Sequence, residues 1–315
     1  MPGVSAQSII TIGNFDGVHI GHREIVQQAR RLAAPHDAEV IAVTFDPPPI
    51  AVLRPEHSPP RLGSIEQRID ALRNAGADRV VVLEPAPQLL SLSAEQFIEK
   101  LVADHSAVGF VEGEDFRFGK ERGGDTRLLA ELGRARGFEV SILPRVETRL
   151  SDQARAPVSS SLVRWLVGRG RVEDAAACLG RDYELVGQIV RGDQRGRTIG
   201  IPTANLDPAA YRTQITPMDG VYAGRVQVDG RAYPAAISIG VKPTFGQQVL
   251  TAEAHLIGFS QDDPDVLYGQ PARFGFARWI RDQYSFPGVE HLVEQLRRDI
   301  GYARSIYEEQ SSAII

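Results

Sequence analysis

Thr11-Ile12-Gly13-Asn14-Phe15-Asp16-Gly17-Val18-His19-Ile20-Gly21-His22 decides how this chain is read. An apolar run ends in small residues, and two histidines follow three positions apart. Ser8 to Ile12 reads as a buried strand, while Ile25, Val26, Ala29, Leu32 and Ala33 recur at helical spacing. Gly13 to Gly21 must therefore turn the chain from strand into helix. His19 and His22 then lie near the helix start, where unpaired N–H groups and the positive end of the helix dipole favour an anion. Two imidazoles on one side add donors, and phosphate is the natural guest. An ordinary connecting turn would account for the glycines, but not for Asn14, Asp16 and two of the chain's seven histidines in one short loop. Zinc is disfavoured, because no cysteine is near and no third ligand stands at fixed spacing.

Composition sets the outer limits. At 315 residues, 43% hydrophobic and 24% charged, the chain is long enough for two globular domains and has no disordered bias. A net charge of −5 implies that anion binding is local, so nucleic acid is not an expected partner. No apolar run approaches a membrane span, so no membrane partner is expected either. The single cysteine, Cys178, forms no internal disulfide, and the N-terminus lacks the pattern of a signal peptide. The expected compartment is the cytoplasm. A homo-oligomer is left open.

From residue 8 to about 143, strand-like runs at Val40–Phe45, Arg79–Leu83, Ala107–Val111 and Phe138–Leu143 alternate with helical patterns such as Ile65/Ile69/Leu72 and Leu128/Leu129/Leu132. This predicts a parallel α/β domain over residues 1–181. Ligands of such sheets bind beyond the carboxyl ends of the strands. Gly13–His22, Asp46–Pro49 and Glu112–Gly119 are polar clusters at three of those ends. Ser159-Ser160-Ser161, with Arg164 one turn later, opens another helical pattern. It reads equally as a helix cap and as a second phosphate cradle.

After Asp182 the texture changes. Tyr183–Val190, Val221–Val228, Arg231–Ile239, Thr251–Phe259 and Pro271–Ile280 are strand-like and separated by turns, predicting a mostly antiparallel barrel or sandwich over residues 182–308. Val289, Leu292, Val293, Leu296 and Ile300 form an amphipathic helix packed on it, and 309–315 is a tail. Within this region, Gly196-Arg197-Thr198-Ile199-Gly200-Ile201-Pro202-Thr203-Ala204-Asn205-Leu206 lets backbone approach a ligand, with Pro202 stiffening the exit. Thr203 and Asn205 supply oxygen ligands suited to a magnesium-phosphate unit, and Glu253 on a later strand can serve as a base. An ordinary loop is the competing reading. None of the three lysines precedes Ser or Thr in a Gly-Lys-Ser/Thr sequence, which excludes a P-loop kinase, and the protein-kinase motifs are absent.

Taken in order, these stretches resemble the prokaryotic bifunctional riboflavin kinase/FAD synthetase family. Gly13–His22, Gly113-Glu114-Asp115-Phe116-Arg117-Phe118-Gly119 and Ser159-Ser160-Ser161 with Arg164 look like its adenylyltransferase half. Gly196–Leu206, Gly220-Val221-Tyr222, Ile239-Gly240 with Pro243-Thr244-Phe245, Glu253-Ala254-His255-Leu256, Leu267-Tyr268-Gly269 and Arg281 with Phe286 look like its riboflavin kinase half. The resemblance implies a Rossmann-like nucleotidylyltransferase domain followed by a small β-barrel, and two magnesium-dependent steps. ATP phosphorylates riboflavin to FMN, and a second ATP adenylylates FMN to FAD with release of pyrophosphate. It further implies that His19, His22, Ser160, Ser161 and Arg164 surround ATP phosphates, with Gly13, Asn14 and Phe15 nearby. In the other half, Gly196, Gly200, Pro202, Thr203 and Asn205 would hold ATP and magnesium, with Glu253 as base. Asp115, Arg281 and Phe286 would contact flavin.

Three positions depart from the pattern. Asp46-Pro47-Pro48-Pro49 has Pro48 where the family usually has histidine, Ser161 replaces threonine, and Lys242 replaces asparagine. Two rivals follow: a riboflavin kinase whose N-terminal domain has become a scaffold or flavin sensor, and a different nucleotidylyltransferase joined to a noncatalytic β-domain.

Overall fold

The computed structural model describes residues 7–244, 247–259 and 264–312. Phe245 and the last three residues of the expected tail lie outside them, and the Lys242 side chain is likewise not described. The chain divides into two compact units, one of Met1–Pro59, Gly63–Thr148 and Arg155–Ser159, the other of Pro60–Leu62, Arg149–Ala154 and Ser160–Ile315.

In the first unit, β1 (Ser8–Ile12), β2 (Glu39–Phe45), β3 (Arg79–Leu83), β4 (Ala107–Gly113) and β5 (Glu139–Leu143) form one parallel sheet in the order β3-β2-β1-β4-β5. Every residue of β1 is buried, as its unbroken apolar run requires for a strand covered on both faces. On one face, Val26, Ala29 and Ala33 of α1 (Ile20–Ala33) and Leu72 and Ala75 of α2 (Ile65–Ala75) meet Ile9, Val40 and Val111. On the other, Phe97, Ile98 and Leu101 of α3 (Ala94–His105) and Leu129 and Leu132 of α4 (Thr126–Arg136) meet Ile10, Ile41 and Phe110. The starts of α2 and α3 are fixed by capping boxes, Ser64 with Gln67 and Ser93 with Gln96, which satisfy otherwise orphaned amides. The chain passes from β1 to β2 on one side and reaches β4 on the other. The strand order thus reverses beside β1, which puts the crevice of the sheet at the carboxyl ends of β1 and β4.

In the second unit, α5 (Ser160–Gly168) and α6 (Val172–Leu179) precede a closed barrel. Its strands are β6 (Tyr183–Val190), β7 (Ala204–Leu206), β8 (Gly220–Val228), β9 (Arg231–Thr244), β10 (Gln247–Leu256) and β11 (Pro271–Arg281), in the order β6-β7-β10-β9-β8-β11 with β11 pairing back to β6. Closure leaves no unpaired edge. Leu185, Tyr222, Ile237, Ala254, Phe274 and Phe276 are buried. Gly224 is required where β8 meets β11, since a Cβ there would lie 2.0 Å from the Gly275 carbonyl oxygen. The terminal helix α7 (Val289–Ser312) seats Ala303 and Ile306 against Ala223, Ile257 and Ala277.

The structure differs from the sequence reading at several boundaries. Residues 160–181, expected with the N-terminal domain, divide with the second unit, because α6 packs on β11 and Arg278 Nε lies 2.9 Å from Glu173 Oε1. Residues 309–312 continue α7 rather than forming a tail. Glu112 and Gly113 belong to β4 rather than to the loop after it, and Ala204–Leu206 is a strand within the expected loop.

Candidate active sites

Beyond β1 the sheet continues for one bond, Gly13 N–H to the Val43 carbonyl at 3.0 Å, and the Thr44 hydroxyl donates to the Asn14 carbonyl at 3.1 Å. The chain then enters left-handed backbone at Phe15 (φ 45°), Gly17 (φ 80°) and Val18 (φ 40°). For Phe15 and Val18 this conformation costs on the order of 1–3 kcal/mol each. Both side chains are buried in the core beneath the loop, which holds the strained turn in place. His19 follows as the N-cap of α1, its Nδ1 accepting the His22 N–H at 3.3 Å. An accepting Nδ1 leaves the proton of the neutral ring on Nε2. The His19 and His22 rings stack at 3.6 Å and 17°, and the edge of Phe15 meets His22 at 5.1 Å. Burial, then neighbouring His19, then Arg68 hold the His22 pKa well below the ordinary imidazole value. Its Nδ1 is buried with no hydrogen-bond partner among the described residues.

Arg68, only 3% exposed on α2, donates to the Phe45 carbonyl at 2.8 Å and the Thr44 hydroxyl at 3.3 Å. A fixed cation and two imidazoles thus gather at the ends of β1 and β2, one positive charge with neutral ring donors beside it. Asp115 is exposed beyond β4, with Arg145 3.6 Å from both Asp115 and Glu114. Pro48 occupies the N-cap of a short helix, Pro49–Leu53. Ser160 opens α5, and Arg164 one turn later donates Nε–H to the Pro60 carbonyl at 2.7 Å. The histidine pair belongs to the first unit, and Ser160, Ser161 and Arg164 to the second.

On the barrel, Asn205 of β7 stands directly opposite Glu253 of β10, and Glu253 opposite Ser238 of β9. Direct partners share a sheet face with Cβ atoms about 4.5–5.5 Å apart, so amide, carboxylate and hydroxyl form one row across three strands. Beside this row the 196–203 loop folds on itself, Ile201 N–H reaching the Gly196 carbonyl at 2.9 Å. A Cβ at Gly196 would lie 2.3 Å from the Ile201 oxygen, and one at Gly192 2.5 Å from the Asn205 amide. Pro202 offers its carbonyl to His255 Nδ1 at 2.8 Å, which pins Thr203 near β10. Arg197 donates to the Tyr268 hydroxyl at 2.8 Å, joining this loop to the Leu267-Tyr268-Gly269 turn. Gly200, with φ 74°, closes the tight part of the loop.

A family model for FAD synthetase matches residues 2–161, and one for riboflavin kinase matches residues 179–307. The bifunctional riboflavin kinase/FMN adenylyltransferase of Escherichia coli K12 is 32% identical over 95% of this chain and 92% of its own length. The chain belongs to this bifunctional family. The family member from Pseudomonas fluorescens is 34% identical over 95% of this chain and 92% of its own, and that from Bacillus subtilis 32% identical over 93% and 90%. A Streptococcus pneumoniae crystal structure described as a macrolide-efflux protein superposes with a TM-score of 0.84 at 30% identity, covering 96% of this chain and 95% of its own. Among the described residues no helix is long and apolar enough to cross a membrane.

Arg281, expected at the flavin, is committed to the terminal helix. Its Nε and Nη2 donate to the Asp299 carboxylate at 2.7–3.1 Å, with Asp299 1% exposed, and its guanidinium lies over the Tyr284 and Phe286 rings at 5.2 and 5.7 Å. The arginine thus links the terminal helix to the aromatic segment that carries Phe286. Arg68, Ser238, Asp299 and Gln283, whose side-chain amide donates to the Ser238 hydroxyl at 2.7 Å, carry no signal in the sequence. No motif or spacing marks Arg68 or Asp299, whose partners Thr44, Phe45 and Arg281 lie far off along the chain.

Proposed function

We propose that this chain phosphorylates riboflavin to FMN on its barrel unit and adenylylates FMN to FAD through the Gly13–His22 loop of its α/β unit. The observation that carries the reading is the cross-strand pair Asn205–Glu253 beside a glycine-lined loop, in the stretch that matches the riboflavin kinase model. Magnesium fits this site by the chemistry of its donors: Thr203 and Asn205 offer hard oxygens, the ligand class the ion prefers. When bound with ATP, the ion neutralises charge on the phosphates. Glu253 takes the proton from the ribityl hydroxyl as the γ-phosphoryl group is transferred, which is alignment and charge chemistry without a P-loop.

In the second reaction His19 and His22 donate to ATP phosphate oxygens. Asn14 positions the loop, Arg68 supplies a fixed positive charge, and pyrophosphate leaves as the FMN phosphate attacks the α-phosphorus. Phosphate contacts from Ser160, Ser161 and Arg164, and a flavin contact from Asp115, follow from the family pattern. The implied partners are flavins and ATP, with neither nucleic acid nor membrane involved, and the implied compartment is the cytoplasm. A chromatographic time course of riboflavin, FMN and FAD with ATP and magnesium tests the reading. FMN should appear first and FAD at its expense. FMN that accumulates without FAD would favour the rival of a kinase with an inactive N-terminal unit, the reading that Pro48 motivates.

A further inference from the structure

Successive N–H groups of a strand point to opposite neighbours. In β1 the Gly13 N–H goes to β2, so the Ile12 N–H faces β4. There the ladder has already stopped. Pairing between β1 and β4 ends at Ile10 with Phe110, although both strands run on to Ile12 and Gly113. The Ile12 N–H is met instead by Glu112 Oε1, at 2.7 Å. Glu112 stays paired with Ile142 on its other side, so the sheet opens only between β1 and β4, at the reversal of strand order.

Glu112 is 2% exposed, and among the described residues the Ile12 N–H is the only hydrogen-bond or ion-pair partner of its side chain. It lies on the face of β4 that also presents Phe110 to the apolar cluster of Ile10, Ile12, Leu129 and Phe138. Among the described residues no cation pairs with it, so burial disfavours a carboxylate there relative to a carboxylic acid, which still accepts the N–H. Burial accordingly pushes its pKa well above the usual carboxylate range, opposed only by the Ile12 N–H, with no charged group from β1, β5 or the covering helices contributing.

We propose that the buried Glu112 carboxyl is a positioning residue of the adenylyltransferase site. It closes the β1–β4 split from below and fixes the strand end from which the Gly13–His22 loop departs. The inference rests on the reading that this loop handles ATP. Ionising Glu112 places an unpaired charge in the split and displaces Ile12 and Gly13, so FAD synthesis is lost as pH rises and Glu112 ionises, while the kinase reaction of the other unit is not.

The test uses the full chain and measures both reactions on the same samples across the pH range from mildly acidic to alkaline, for wild type, Glu112→Gln and Glu112→Leu. Glutamine keeps the acceptor and cannot ionise. Wild type should lose FMN-to-FAD conversion with rising pH as Glu112 ionises, and Glu112→Gln should lack that limb. Glu112→Leu, which strands the Ile12 N–H, should lower FAD synthesis by about tenfold at neutral pH with riboflavin phosphorylation unchanged. Superimposable pH profiles of wild type and Glu112→Gln, or full FAD synthesis by Glu112→Leu, would overturn the inference. If Glu112→Leu does not fold, the glutamine comparison still decides. Failure of the underlying site reading looks different: His22→Ala would then leave FAD synthesis untouched, whatever Glu112 does.

Discussion

His22 sits under the His19 ring with a buried, unpartnered Nδ1, and its pKa is held down first by burial. Unfolding returns the imidazole to an ordinary value near 6.5, so below about that pH the unfolded chain takes up a proton that the folded site refuses. The His22 contribution to stability is complete above that value and drains away as pH falls through the lowered one. Glu112 runs the other way. Its contribution is complete below the ordinary carboxyl value of about 4.3 and is lost as pH rises toward its raised folded value. Glu112→Gln should therefore raise the urea midpoint of the α/β unit at neutral pH and lose that advantage below about pH 4. Amide exchange at β1 during unfolding measures it, and an equal shift at both pH values would contradict the burial argument. The histidines were legible in the sequence because glycine, asparagine and histidine concentrate in one short loop. Glu112 was not, since a glutamate closing an apolar run reads as the strand's polar end, and only the early end of the β1–β4 ladder shows what it meets.

The terminal helix α7 is tied to β11 by an ion pair as much as by its apolar face. Asp299 is 1% exposed and receives Arg281 and the Gln295 amide. Removing one partner of a buried pair strands the other charge, so Asp299→Ala should destabilise the barrel unit by roughly 3–5 kcal/mol, readable by thermal unfolding. Its riboflavin KM should rise more than its kcat falls, because Arg281 orients Tyr284 and Phe286 rather than the reacting hydroxyl. A barrel as stable as wild type would contradict the anchoring role. Element types were largely legible: the switch from helical to twofold spacing near residue 182 marks the change of architecture. What escaped were β7, three residues long and too short for any period, and the last five residues of β9, beyond the Arg231–Ile239 run, where β10 continues to pair. Pro48 caps a short helix by its extended backbone, so Pro48→His should change FAD synthesis far less than His22→Ala.

At the scale of the molecule, each unit has its own buried core, so the kinase unit should fold without the α/β unit. The fragment 160–315 should phosphorylate riboflavin. The fragment 182–315 should retain activity at a lower melting temperature, since it loses α6, whose Ala175 and Cys178 are fully buried, and the Glu173–Arg278 contact. Equal stability of the two fragments would show that α5 and α6 add nothing to the barrel. The separation of the two chemistries is tested most directly by one crossed assay, in which wild type, Glu253→Gln and His22→Ala are each given riboflavin or FMN with ATP and magnesium and the flavins are resolved by chromatography. Glu253→Gln should phosphorylate riboflavin roughly 10²- to 10⁴-fold more slowly yet convert supplied FMN to FAD normally. His22→Ala should make FMN normally and FAD about ten- to a hundredfold more slowly. Parallel loss of both reactions in either variant would contradict two separate sites on one chain.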